Sequence, residues 1–311
     1  MTLPFLPRNR RKRRFVYAAS AVAAFVLMLV GVFIAILSGP GGYDPRDLER
    51  LKTERDCPDC NLTGASLWSE DFVGRDLSGA QLTTANVWWT DLSGADLSGA
   101  NMSHANFWWS DLVGAKLDGG TFVWTVLGRA IARDATFIGA DMTNVDFSGT
   151  TLVNANFTTA NLEGASLLQA ILTDANMTDV NLERAIFHHA EAPGLNLTRA
   201  NLANASVTRA NMVGAKLTSA NFVGANLSET NFTDSDAKGV DFSGAQLPNV
   251  NFTGADLAGS KFSNASLWAA KFTNANLTDV DFTGASMPDV ELSGARMCRT
   301  KLPTGEDNSG C

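Results

Sequence analysis

Cys57 and Cys60 stand in a C-x-x-C spacing. That arrangement serves redox-active dithiols, half of a metal site, or a local structural bridge. The other two cysteines, Cys298 and Cys311, lie near the opposite end of the chain. Neither a histidine nor a second C-x-x-C accompanies the first pair, and no strand–helix–strand pattern gives it a thioredoxin setting. The three histidines are His104, His188 and His189. The sequence holds no nucleophile elbow, phosphate-cradling glycine loop, H-E-x-x-H pair or dinucleotide fingerprint. Paired carboxylates could serve acid–base work or bind Ca²⁺, but they recur along the whole chain without singling out a cleft. The expectation is a non-enzymatic chain with no catalytic residue, no metal site, no cofactor and no small-molecule substrate.

Tryptophan is the residue type with an uneven distribution. Trp88-Trp89 and Trp108-Trp109 are adjacent pairs twenty residues apart, and Trp68 precedes the first pair by the same interval. Contiguous exposed aromatics usually mark interaction sites.

What must position these tryptophans is a repeat. From Leu62 to Leu302 every fifth residue is apolar, 49 positions in all, of which only Ala132, Ala192 and Ala237 are smaller than Val. Two places earlier Ala fills 30 of the 49 positions. Asn or Asp mostly precedes the large residue, and Ser, Thr, Gly, Asn or Asp mostly follow it. A period of five fits neither a helix nor a plain strand. It fits a solenoid built of short extended sides with corners, in which the large residue and the small one before it both point inward. The many Asn-x-Ser/Thr triplets, such as Asn156 with Thr158 and Asn226 with Ser228, follow from that repeat, and no glycosylation is inferred from them.

The stretches "ADLSGANMSHANFWWSDLVGAKL" and "ANLTDVDFTGAS" resemble the pentapeptide-repeat family, A(D/N)LXX, over about residues 60–302. The resemblance implies a right-handed quadrilateral parallel β-helix with four pentapeptides per coil. About twelve coils at ~4.8 Å would stack to a length on the order of 58 Å. The flanks "DLERLKTERDCPDCNLTGASL" and "MCRTKLPTGEDNSGC" resemble the cysteine-bearing lead-in and tail of cyanobacterial members of the family. A twenty-residue coil places Trp68, Trp88, Trp89, Trp108 and Trp109 outside one face, with Leu168, His188, His189 and Trp268 further along it. Trp124 falls on the face that holds His104. The five clustered tryptophans are the expected partner-binding residues, as a docking face for a protein, for a second copy or for the headgroup region of a membrane, where Trp is favoured.

The N-terminus adds a different signal. Arg8, Arg10, Arg11, Lys12, Arg13 and Arg14 precede an uncharged apolar stretch, residues 15–37. Its length predicts a transmembrane helix, and the basic cluster predicts a cytoplasmic N-terminus. A cleaved signal peptide, a twin-arginine signal at Arg13-Arg14 and a buried soluble helix are the alternative readings. The body would then be periplasmic or thylakoid-lumenal, a setting that permits disulfides Cys298–Cys311 and Cys57–Cys60 as caps of the two ends. The expected organisation is a basic N-terminus (1–14), a transmembrane helix (15–37), a linker with a short capping helix starting near Asp44-Pro45 (38–59), the β-helix (60–302) and a capping tail (303–311). Beyond the basic cluster, 18 basic residues face 32 acidic ones, a balance that repels nucleic-acid phosphates.

Three functions fit this pattern. The first is a membrane-anchored scaffold that docks proteins on the tryptophan face. The second, implied by the resemblance, is an acidic rod that imitates duplex DNA and binds a topoisomerase. The third is a purely structural envelope or lumenal spacer.

Overall fold

A computed structural model describes residues 42–53 and 56–311. Helix α1, Pro45–Thr53, opens it. Asp44 caps α1 by accepting the Arg46 N–H at 2.8 Å, and Pro45 occupies the first helical position, where its missing N–H costs nothing. Asp47 in the first turn and Arg50 and Lys52 in the last complement the helix dipole. α1 lies against the first coil: Leu51 is fully buried, the Asn61 N–H donates to Asp47 Oδ2 at 2.9 Å, and Arg75 Nη1 donates to the Leu51 carbonyl at 2.7 Å.

From Asn61 onward each residue before an inward side chain pairs in parallel with the residue twenty positions later, through to Asp281 with Lys301. One coil is therefore twenty residues, and four five-residue sides close it. In the side Asn61–Ala65, the Leu62 N–H donates forward to the Gln81 carbonyl at 2.8 Å, and the Gln81 N–H donates back to Cys60 at 2.8 Å. The Ala65 N–H closes a turn on the Leu62 carbonyl at 2.9 Å, and Gly64, third in that turn, has φ +69°. A positive φ there is the signature of a type II turn. Every fifth residue from Asp59 to Arg299 adopts this left-handed conformation, whether or not it is glycine.

Asn or Asp precedes the inward residue for a local reason. Its side-chain oxygen accepts the N–H two residues on, as from Thr158 to Asn156 at 3.0 Å, which makes an Asx turn. The same amides also bond across coils. Asn181 donates to Asn161 at 2.9 Å, Asn201 to Asn181 at 3.1 Å and Asn221 to Asn201 at 2.9 Å, forming a ladder along one face.

The shaft is filled by the two inward positions. In the later coils phenylalanine takes two opposite faces. Phe222, Phe242, Phe262 and Phe282 stack with centroids 5.3, 4.8 and 5.0 Å apart, and Phe232, Phe252 and Phe272 stack at 5.2 and 5.4 Å. The two columns meet edge to face, as for Phe252 and Phe262 at 5.9 Å. Each buried ring contributes about 1.5–3 kcal/mol of transfer free energy. Where Ser or Thr replaces the inward Ala, its hydroxyl mostly finds a carbonyl one coil back: Thr90 donates to the Leu67 carbonyl at 2.6 Å and Thr150 to Leu127 at 2.7 Å, whereas the Ser235 hydroxyl is buried without a partner among the described residues.

The C-terminal end closes with a hairpin that the sequence did not announce. Strands β1, Thr300–Leu302, and β2, Gly305–Asp307, pair antiparallel. The Gly310 N–H reaches the Met297 carbonyl at 2.6 Å. A Cβ on Gly310 would lie 2.6 Å from the Met297 nitrogen, so only glycine permits this approach.

The expectation of a single-pass membrane protein with a periplasmic or lumenal body is corrected. Among the described residues no helix is long and apolar enough to cross a membrane. A span requires about 20 apolar residues in one continuous helix, whereas α1 has nine and is polar. The stretch 15–37 that carried the expectation, and the basic cluster before it, lie outside the described residues.

Candidate interaction surface

The coil period brings the clustered tryptophans onto one outer face because their inward neighbours, Leu67, Val87 and Phe107, keep phase in the shaft. Trp68 and Trp88 stand one coil apart with ring centroids at 6.3 Å. Trp88 and Trp89 pack at 6.0 Å, and Trp108 and Trp109 at 5.9 Å with their planes at 73°. Trp68 is 53 % exposed and Trp89 42 %, while Trp88, Trp108 and Trp109 are half-buried against neighbouring coils. The patch is thus a partly embedded aromatic surface. The indole of Trp108 leans onto Gly128, one coil on, where an added Cβ would come within 3.1 Å of Trp108 Cδ1. The guanidinium of Arg129 sits over the Trp109 ring at 5.5 Å. Trp88 Nε1 is buried without an acceptor among the described residues, an arrangement that costs about 1–3 kcal/mol.

Trp89 and Trp109 occupy the left-handed turn position, with φ of 57° and 59°. A bulky side chain is rare in that conformation. Trp124, on the neighbouring face, shares it at 58° and is 57 % exposed. The same face of the tryptophan cluster carries Trp268, 49 % exposed, eight coils beyond Trp108.

The histidines do not assemble a reactive group. His188 Nε2 stands 3.4 Å from Ser206 Oγ, but its Nδ1 is engaged by the Thr208 hydroxyl and not by a carboxylate that would orient a general base. His104 and His189 both sit in left-handed turn positions, on different faces. Asp47, Cys57 and Cys60 bring ligand-type atoms within 4.8 Å of one another, a juxtaposition that the sequence spacing alone did not show. The two sulfurs are joined as a disulfide, with Cα atoms 5.4 Å apart, so neither is a thiolate ligand. Cys298 and Cys311 form the second disulfide, with Cα atoms 4.7 Å apart.

Many of the carboxylates serve the structure. Besides capping turns, several take cations from a neighbouring coil: Arg199 with Asp179 at 2.5 Å, Arg209 with Glu229 at 2.9 Å, Arg299 with Asp279 at 2.6 Å and Lys238 with Asp256 at 3.0 Å. Hydrogen bonds from Arg199, Arg299 and Arg209 hold Asp179, Asp279 and Glu229 below the usual carboxylate range. These pairs are exposed, so solvent screens them and each contributes little to the stability of the fold.

The family model described as Pentapeptide repeats matches in eight copies, over residues 56–99, 80–119, 121–158, 152–188, 196–234, 238–267 and 269–302. No curated protein matches the chain. Among solved structures, the chain is similar to HetL, a pentapeptide repeat protein involved in heterocyst differentiation regulation from the cyanobacterium Nostoc sp. strain PCC 7120. The two are 25 % identical over 72 % of this chain and 91 % of that one, with a TM-score of 0.42. Rfr23, a pentapeptide repeat protein from the cyanobacterium Cyanothece 51142, is 34 % identical over 45 % of this chain and 88 % of its own, with a TM-score of 0.24. QnrB1, a plasmid-mediated fluoroquinolone resistance protein, is 22 % identical over 58 % of this chain and 92 % of its own, with a TM-score of 0.30. The repeat, its twenty-residue coil and the family match agree: this chain belongs to the pentapeptide-repeat family, whose fold is the right-handed quadrilateral β-helix.

Proposed function

We propose that this protein is a non-enzymatic interaction module whose β-helix docks a protein partner on the face formed by Trp68, Trp88, Trp89, Trp108 and Trp109. The observation that carries the reading is clustering on one face. Five indoles stand on three successive coils, Trp68, Trp88 and Trp89 in ring contact at 6.0–6.3 Å and Trp108 with Trp109 at 5.9 Å, and all remain partly open to solvent. Trp and Tyr dominate the energetics of protein interfaces because they remove large areas from water with few rotatable bonds. Two of the five also hold a strained backbone position that Gly or Asn would occupy at lower cost, so fold stability alone does not account for them. The DNA-mimic reading draws less support, because cations from neighbouring coils interrupt the acidic columns.

The test replaces Trp88, Trp89, Trp108 and Trp109 with Ser and repeats a crosslinking pull-down from source cells. Circular dichroism would confirm that the β-helix is intact. The expected result is loss of the partner captured by the unmodified chain. An unchanged set of captured proteins would sink the proposal.

A further inference from the structure

The charge around the tryptophan face narrows the class of partner. The coils spanning residues 61–119 carry seven carboxylates against two cations, Arg75 and Lys116, to which α1 adds Lys52 paired with Glu70 at 3.2 Å and the following coil adds Arg129. Both cations of these coils are committed within the fold, Arg75 to the Leu51 carbonyl at 2.7 Å and Lys116 to Asp96 at 3.9 Å. Asp71, Asp91 and Asp111 follow the tryptophans at the next corner and pair with one another coil to coil, so a carboxylate column runs beside the indoles. Each uses one oxygen to cap its own turn, on Val73, Ser93 and Val113 at 3.3, 3.1 and 3.1 Å. The face itself shows which group suits it: the guanidinium of Arg129 lies over the Trp109 ring at 5.5 Å. An aromatic surface beside a carboxylate column attracts guanidinium through both ring quadrupole and charge.

Spacing adds a second constraint. Trp68 and Trp108 are two coils apart, about 9.6 Å at ~4.8 Å per coil. A polyproline II segment, with three residues per turn and ~3.1 Å rise, repeats its face every ~9.3 Å. Aromatic-lined surfaces are an established way to hold such segments, which lose little entropy on docking.

We infer that the partner presents an extended, proline-rich segment with arginine at about every third residue, its rings and guanidinium groups laid along the tryptophans and beside the carboxylate column. The inference rests on the docking face proposed above and names the chemistry of its occupant.

The experiment titrates the full chain into a fluorescein-labelled Pro-Pro-Arg repeat peptide and follows anisotropy. A Pro-Pro-Gln repeat peptide and a linear gluco-oligosaccharide serve as rival probes. Replacing Asp71, Asp91 and Asp111 together with Asn keeps the turn caps, since Asn fills the same role at many other corners, and removes only the charge. The Pro-Pro-Arg peptide should bind the unmodified chain, weaken by about tenfold or more with the Asn variant, and weaken in high salt. Equal binding of the Pro-Pro-Gln peptide, preferential binding of the oligosaccharide, or an Asn variant that binds like the unmodified chain would each overturn the inference. If the Ser variants of the tryptophans lose the captured partner while the Asn variant keeps it, the docking face stands and the cationic occupant alone is wrong. If the Ser variants retain the partner, both fall.

Discussion

Tryptophan in a left-handed turn is a residue at odds with its backbone. Most corners of this β-helix are filled by Gly, Asn, Asp, Ser or Thr, which tolerate positive φ or supply a local hydrogen bond. Trp89, Trp109 and Trp124 do neither. Trp124 isolates the backbone effect best, being exposed and away from the aromatic cluster. Replacing Trp124 with Asn should therefore stabilise the β-helix by about 0.5–1 kcal/mol, against the usual loss when a large apolar residue is removed. A higher thermal midpoint by circular dichroism is the expected result, and a lower one would show that the indole packs to more effect than its backbone costs. At this scale the sequence was informative about which residues leave the core and silent about how far. The five-residue phase put all five clustered tryptophans outside, but the half-burial of Trp88, Trp108 and Trp109 depends on coils twenty residues away.

The elements that frame the repeat are the two caps. α1 covers the first coil through Leu51, Asp47 and the bond from Arg75, and the hairpin β1–β2 covers the last through Gly310 and the Cys298–Cys311 bridge. The helix was legible from Asp44-Pro45, with Pro at the first helical position. The hairpin was not, because strands of three residues leave no periodicity to read. Arg299 ties this end to the preceding coil through Asp279. The hydrogen bond from Arg299 lowers the Asp279 pKa. A carboxylate with a depressed folded-state pKa stabilises the fold above its unfolded pKa and loses that contribution as pH falls through the folded value. Amide protection factors at residues 299–308, that is exchange rates corrected for the intrinsic pH dependence of amide exchange, should accordingly be constant through neutral and mildly acidic pH and fall below the usual carboxylate range. Replacing Asp279 with Asn should flatten that acid-limb response. A tail equally protected at all pH values in the unmodified chain would show that the disulfide and Gly310 suffice.

For the whole β-helix, stability is carried by contacts between neighbouring coils, so the fold should tolerate changes that respect the coil and fail with those that do not. Deleting residues 201–220 removes one coil and rejoins columns that already matched: Asn221 would take the place of Asn201 in the amide ladder, and the Phe222 column would continue. Deleting only residues 201–210 shifts every later side by half a coil. The phenylalanine columns then exchange faces, and the asparagine ladder meets Asn211 and Asn231 of the wrong face. The one-coil deletion should keep a cooperative melt near the original midpoint, and the half-coil deletion should melt lower and more broadly. Equal behaviour of the two would mean that side identity matters less than the five-residue phase.

By itself the sequence determined the repeat, its inward and outward positions, the corner residues, the cysteine pairs as candidate caps and the face on which the tryptophans gather. It could do so because a five-residue period is local, and each unit repeats the same pattern of one large and one small inward side chain. Tertiary structure decided what depends on stacking: the Trp108 contact with Gly128, the Arg129 guanidinium over Trp109, the asparagine ladder, the cation partners of the carboxylates, and the closing hairpin. All of these join residues about twenty or more apart, or strands too short to pattern.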